Sequence, residues 1–206
     1  MTLWLALAFA VAGILCLFID RRVAHYFRER LAQPGFHFAW KITDWAKGGP
    51  WIGIAALLYL AAQILIAFGI EPPLVRSMSD YSLALLASFV VGSVVLHTIK
   101  IFLGRRRPRD DFEHGLYGFR YFTWELQYDS FPSGHAMTIF SVAMVLCAVA
   151  PSLAALWLAL ALALGLTRAL LTAHFLADVM IGAALGIVAT RETLLILFPT
   201  LAPPWM

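Results

Sequence analysis

The chain has 206 residues, 62% of them hydrophobic and 13% charged, with a formal net charge of +3. A soluble domain carries about 25% charged residues, so this composition excludes an ordinary water-soluble globule and points to a chain solvated by lipid. The small positive charge, with no long basic run, excludes a phosphate-tracking groove for nucleic acid and suits contact with anionic lipid.

A spanning helix needs about 20 mainly apolar residues. The first such run covers residues 3–19. No Lys or Arg precedes it and no small-residue cleavage site follows, so it reads as a retained membrane helix rather than a signal peptide. In residues 20–50, Val23, Tyr26, Phe27, Arg30 and Leu31 fall near helical spacing, with Arg21, Arg22, Arg28 and Glu29 between them. This predicts one or two short helices lying in the interface. Trp40, Trp45 and Trp51 fit an aromatic belt. Further spans are expected at residues 51–70, 83–103, 136–150, 153–171 and 173–190. The fourth is short and begins in the polar stretch before it, and the last two are divided only weakly, around Thr172. The long connection at residues 104–134 holds Tyr117, Phe119, Tyr121, Phe122, Trp124 and Tyr128, too many aromatics for disorder. Cys16 and Cys147 sit in apolar runs as packing residues, and no Cys/His spacing suits a metal. With no repeat and no linker, the expected fold is an all-α polytopic membrane helix bundle. It has six transmembrane helices plus short interfacial helices, and residues 1–206 form a single domain.

Ionisable residues at a membrane edge are costly and mark candidate sites. Three clusters qualify. Lys100 and Arg107 share one face about 10 Å apart if the third helix continues through them. Pro132, Ser133, Gly134 and His135 open the fourth helix. Arg168, His174 and Asp178 form the third cluster, where His174 and Asp178 are neighbours if both lie on one helix. Taken singly, each has a plainer account: an interfacial basic flank including Arg105 and Arg106, a capped helix with a surface histidine, and a structural hydrogen bond. Together they carry more, because an up-down helix order puts all three at segment ends on one side of the membrane. His25, His37, His97 and His114 read as structural or interfacial. Asp110, Asp111, Glu113 and Arg120 read as a solvated loop face rather than a gate.

In this order, Lys-x6-Arg-Pro, Pro-Ser-Gly-His and Arg-x5-His-x3-Asp resemble the three signature motifs of the type 2 phosphatidic acid phosphatase (PAP2) superfamily, whose membrane members are lipid phosphate phosphatases. The resemblance runs directly from Lys100 to Asp178, and the six-span layout extends it to nearly the whole chain. One departure is Thr167 before Arg168, where the family usually has serine; the hydroxyl is kept. The resemblance implies that His174 attacks phosphorus to form a phosphohistidine, that Asp178 orients it, and that His135 protonates the leaving oxygen and then activates water. Lys100, Arg107 and Arg168 would clamp the phosphate oxygens, with Ser133 and the Gly134 amide donating at a helix N-terminus. The cationic clamp takes the place of a metal, so no cofactor is expected.

The expected partners are a lipid phosphate and the bilayer, not nucleic acid, with oligomeric state left open. The substrates in view are undecaprenyl pyrophosphate, phosphatidylglycerophosphate and phosphatidic acid, with a lipid A phosphatase or phosphotransferase as the alternative. A catalytically idle lipid-binding or transport protein is the reading from another class. The site is expected to open laterally near the third and fifth spans, under the aromatic loop. The expected location is a bacterial inner membrane with the site facing the periplasm or cell exterior, as the resemblance implies. The positive-inside count opposes that side, because Arg21, Arg22, Arg28, Arg30, Lys41 and Lys47 lie with the site and chiefly Arg76 and Arg191 lie opposite.

Overall fold

The computed structural model describes residues 1–206, the surroundings of Gly35 excepted. The described residues form nine helices: α1 (Thr2–Cys16), α2 (Asp20–Arg28), α3 (Pro34–Ile42), α4 (Gly48–Ala67), α5 (Pro73–Phe102), α6 (Pro108–His114), α7 (Gly134–Val149), α8 (Ala154–Leu170) and α9 (Leu176–Leu197). A small antiparallel hairpin, β1 (Leu103–Arg105) with β2 (Phe119–Tyr121), pairs Gly104 with Arg120. The residue 20–50 segment forms α2, α3 and a 3-10 turn at Thr43–Ala46, the short helices its spacing predicts.

All six apolar segments are helical, but they are not six full spans. Among the described residues four helices (α4, α5, α9, and α8 with the 3-10 turn before it) are long and apolar enough to cross a membrane. The bent pair α1 and α2, which turn through 77°, makes a fifth if taken as one. The sixth, α7, has 16 residues, about 24 Å at 1.5 Å per residue, against a hydrocarbon core of about 30 Å. Its surroundings account for the shortfall. It packs on α4, α5, α8 and α9, and twelve of its residues are buried, so protein rather than lipid covers most of its length. Conversely, α5 begins ten residues before the predicted boundary, at Pro73, with proline in the first turn where its missing N–H costs nothing. Its 30 residues span about 45 Å, enough to carry Lys100 clear of the hydrocarbon.

Helices α7 and α9 touch through glycine. A Cβ on Gly182 would lie 2.4 Å from the Ser133 carbonyl oxygen, and one on Gly186 would lie 2.4 Å from that of Met137. Small residues four apart let two backbones approach closely, and here the approach seats the first turn of α7, which carries Ser133, Gly134 and His135. The expected result for Gly182→Ala is a loss of about 1–3 kcal/mol, because the clash is with backbone rather than a movable side chain. Thermal unfolding of the purified protein in detergent measures it, and an unchanged melting temperature would show that the helices can part without cost.

Candidate active site

Lys100 and Arg107 meet, though not along a helix. Helix α5 ends at Phe102 and the chain turns into β1, so the expected shared helical face does not exist. Asp129 gathers them instead. Lys100 Nζ donates to its backbone carbonyl, and Arg107 Nε and Nη2 donate to the two oxygens of its carboxylate at 2.7 and 2.9 Å. Burial pushes the Asp129 carboxyl up, but the Arg107 fork more than offsets it and holds the group below the usual carboxylate range.

His174 also stands outside a helix. Helix α8 ends at Leu170, and the Arg168 carbonyl accepts the N–H groups of Ala173 and His174 at 2.9 and 3.1 Å. The turn puts Thr172 at φ 53°, a left-handed conformation that a β-branched residue rarely adopts. His174 and Asp178 are therefore not neighbours on one helix as expected. Their nearest atoms are 3.8 Å apart, while His174 Nδ1 lies 2.9 Å from the Ser130 carbonyl. A carbonyl only accepts, so Nδ1 carries the proton and the Nε2 lone pair is free. Burial pushes the His174 pKa below its ordinary value, even against the neighbouring Asp178 carboxylate, so the ring is neutral at pH 7.

The Pro-Ser-Gly-His turn opens α7. Ser133 is its N-cap, with its hydroxyl accepting from the Ala136 amide at 3.4 Å, and its own N–H donates to the Asp178 carbonyl at 2.9 Å. The His135 and His174 rings are neighbours, tilted at 56° with centroids 6.3 Å apart. Together with Lys100, Arg107 and Gly134 they line one cavity of about 280 Å³, whose other walls include Gly48, Leu96 and His97. Its lining comes from Gly48 at the start of α4, the last turns of α5 and the start of α7, with Arg107 and His174 from the segments beyond the helix ends. Ser133, Arg168 and Asp178 are not among the lining residues. Arg168 Nη1 donates to the Thr43 hydroxyl at 3.1 Å, and Thr43 and Thr167 are hydrogen-bonded at 2.9 Å. That contact keeps a use for the hydroxyl of Thr167. Arg168 Nε is buried without a partner. Cations beside a helix N-terminus form a site for an anion of tetrahedral, multiply accepting shape. Among the described residues no group of three His, Cys, Asp or Glu is placed to hold a metal ion.

Sequence reasoning missed the residues that hold this site together. Arg105, which reads as part of a basic flank, is fully buried. Its Nη1 donates to Asp20 at 2.8 Å and to Asp178 at 2.7 Å, and its Nη2 to the Tyr117 hydroxyl at 2.9 Å. Phe175, Phe119 and Tyr117 surround the guanidinium within 4.2–5.4 Å of their ring centroids. Asp178 accepts in turn from Ser130 Oγ at 2.6 Å and from the Phe175 amide at 2.9 Å. Asp20 also accepts from the Ala177 amide at 2.9 Å, so it serves the N-terminus of α9 from the far end of the chain. The one sequence signal for this was an acid, Asp20, directly after an apolar run with no partner in its own segment. The expected result for Arg105→Met is a loss of about 3–5 kcal/mol, because two buried carboxylates are left without their cation. Chemical unfolding in detergent reads this loss, and wild-type stability would show that the carboxylates find other compensation.

The comparisons with known proteins agree with this geometry. The PAP2 superfamily model matches residues 81–200, which takes in all three motifs. A lipid A 1-phosphatase of Rhizobium etli is 30% identical over 102 residues, covering 50% of this chain and 44% of that protein. Another from Rhizobium johnstonii is 31% identical over 97 residues, covering 47% of this chain and 40% of that one. The alignments thus span less than half the length of these relatives. The crystal structure of Aquifex aeolicus LpxE superposes with a TM-score of 0.58 at 19% identity, covering 85% of this chain and 94% of that one, a likeness of fold. With residues of all three motifs lining one cavity and the family match covering more than half of the sequence, the chain belongs to the PAP2 superfamily.

Proposed function

We propose that the protein is an integral-membrane lipid phosphatase that works through a phosphohistidine on His174. The observation that carries the reading is the cavity in which the His174 and His135 rings are neighbours, 6.3 Å apart, beside Lys100 and Arg107. In-line phosphoryl transfer needs attacker and leaving oxygen on opposite sides of phosphorus, and this gap suits one phosphoryl group. In the first step His174 Nε2 attacks phosphorus and the lipid oxygen leaves, taking from His135 the proton that the acidic O–H of the substrate phosphate has brought to it. In the second, His135 takes a proton from water, the water oxygen attacks phosphorus, and the N–P bond breaks to release inorganic phosphate. Lys100, Arg107 and the Gly134 amide, which line the cavity, hold the equatorial oxygens, and Arg168 and Ser133, which the motifs assign to the same clamp, act from beside it. Asp178 acts through Ser130, which orders the His174 ring.

Among lipid phosphates, we favour the 1-phosphate of a lipid A-type glycolipid. Both curated relatives bear that activity in their names, which supports it over undecaprenyl pyrophosphate, phosphatidylglycerophosphate and phosphatidic acid. Phosphate release by the purified full chain from these four lipids tests the choice. The expected order puts the lipid A 1-phosphate first, with activity surviving chelator. His174→Ala should lower turnover by at least about 10²–10⁴-fold and abolish any covalent phosphoenzyme. A phosphoenzyme trapped in that variant would name the wrong nucleophile, and lipid binding without release from any of the four would favour the idle binding protein.

The protein belongs, on this reading, in a bacterial inner membrane with the cavity facing the periplasm. Bacterial relatives with a lipid substrate support the membrane, and the basic residues of α2 and α3 then meet anionic head groups rather than mark the cytoplasm. Single-cysteine labelling in a background without Cys16 and Cys147 tests the side. A cysteine replacing Glu113, on the site face, should react with a membrane-impermeant thiol reagent in cells with a permeable outer envelope. One replacing Glu71, in the α4–α5 connection, should not. The reverse pattern would place the reaction in the cytoplasm.

A further inference from the structure

Asp129 occupies the clamp in the way a phosphate would. Its carboxylate presents two oxygens to the Nε and Nη2 edge of Arg107, the fork geometry by which arginine grips phosphate. We propose that Asp129 is a displaceable clasp, which holds the Arg107 fork in the empty protein, yields it to the substrate phosphate, and takes it back as inorganic phosphate leaves. The inference rests on the phosphatase reading.

Three observations carry it. First, the backbone around Asp129 is fixed while its side chain is not buried away. The Asp129 carbonyl is held by Lys100 Nζ, residue 129 bridges to Arg105, and the Ser130 amide donates to the Arg105 carbonyl at 3.0 Å. Rotation of the side chain alone releases Arg107. Second, the pair is half wet: the side chains of Arg107 and Asp129 are 36% and 37% exposed, against 0% for each member of the Arg105–Asp178 pair. A pair that water reaches exchanges partners cheaply, whereas a dry one does not. Third, the released carboxylate has somewhere to go. Arg107 lies on the wall between the phosphate cavity and a second cavity of about 480 Å³, which Asp129 also lines together with Arg28 and Arg109. Those two guanidinium groups offer new partners when the phosphate takes Arg107.

The clasp makes phosphate compete with an internal anion, so the apparent affinity is reduced by the fraction of protein in which Arg107 is held. Inorganic phosphate binding to the full chain in detergent, measured by calorimetry, reads this directly. Asp129→Asn keeps the shape and the carbonyl for Lys100 but removes the charge. It should bind phosphate about tenfold more tightly and show a lower KM without a higher kcat. Asp129→Ser should shift affinity in the same direction, which guards against a folding defect peculiar to one variant. Removing any nearby anion helps an anion bind, so the measurement is repeated with Arg107→Lys, which keeps the charge and loses the fork. There the gain from Asp129→Asn should fall to about twofold or less. A gain of equal size in both backgrounds overturns the clasp, as does phosphate affinity in Asp129→Asn no better than in wild type. Phosphate binding by neither protein overturns the phosphatase reading and the clasp with it.

Discussion

The buried guanidinium of Arg105, set between Asp20 and Asp178, is the constraint on which the rest of the site depends. Two carboxylates and one cation leave a net negative charge in a dry place, and burying charge costs several kcal/mol per ion unless each is fully partnered. The partnering of the two carboxylates is visible, while the Arg105 Nε stays without a hydrogen-bond acceptor. Asp178 takes the Phe175 amide and Ser130 Oγ, and Asp20 takes the Ala177 amide. Both acids also sit at the N-terminus of α9, where the helix dipole favours negative charge. Three distant parts of the chain are locked at one point: the α1–α2 elbow, the β-hairpin and the start of α9. Nearby, Asp111 repeats the device more loosely, pairing with Arg21 and His25 to tie α6 to α2.

This network reaches His174 by a relay rather than by contact. Arg105 and the Phe175 amide orient Asp178, Asp178 orients Ser130 through its hydroxyl, and the Ser130 carbonyl takes the proton of His174 Nδ1 at 2.9 Å. The carboxylate's influence on the ring is thus mostly geometric. Burial, not ion pairing, keeps the ring neutral. A neutral imidazole with Nδ1 protonated presents Nε2 as the free lone pair, so the same few bonds determine tautomer, charge and aim.

Much of this was legible in the sequence because it is local. Helix α8 is the clear case: its predicted limits and its observed limits, Ala154–Leu170, differ by one residue at each end, since an unbroken apolar run has only one reading. The motif residues were legible for the same reason, as side chains whose chemistry is plain wherever they stand. What could not be read was non-local or depended on a break. Polar residues Arg76, Ser77, Ser79 and Asp80 hid the first turns of α5, although Ser79 is buried and paired with Gln63 at 2.8 Å. Nothing local marks the end of α5 at Phe102, so Lys100 and Arg107 were placed along a helix that is not there. Arg105 and Asp20, 85 positions apart, meet only once the hairpin and the α1–α2 elbow have formed.

Arg105 and Arg107 show how burial divides labour between chemically equal groups. They are two positions apart, and each is paired with an aspartate at 2.7 Å. Around Arg105 there is no water to take over a broken bond, and three aromatic rings close the remaining approach, so the pair acts as part of the scaffold. Around Arg107 water and two cavities wait on either side, so breaking the pair costs little more than a surface salt bridge, about 1 kcal/mol. The proposed phosphate site needs both kinds. The clamp must be aimed to within fractions of an ångström, which only a dry scaffold supplies, yet its cations must be free to change partners as phosphate arrives and leaves. Placing the fixed arginine at the end of a strand and the exchangeable one just beyond it, where the chain emerges toward the cavity, meets both needs with a single short segment.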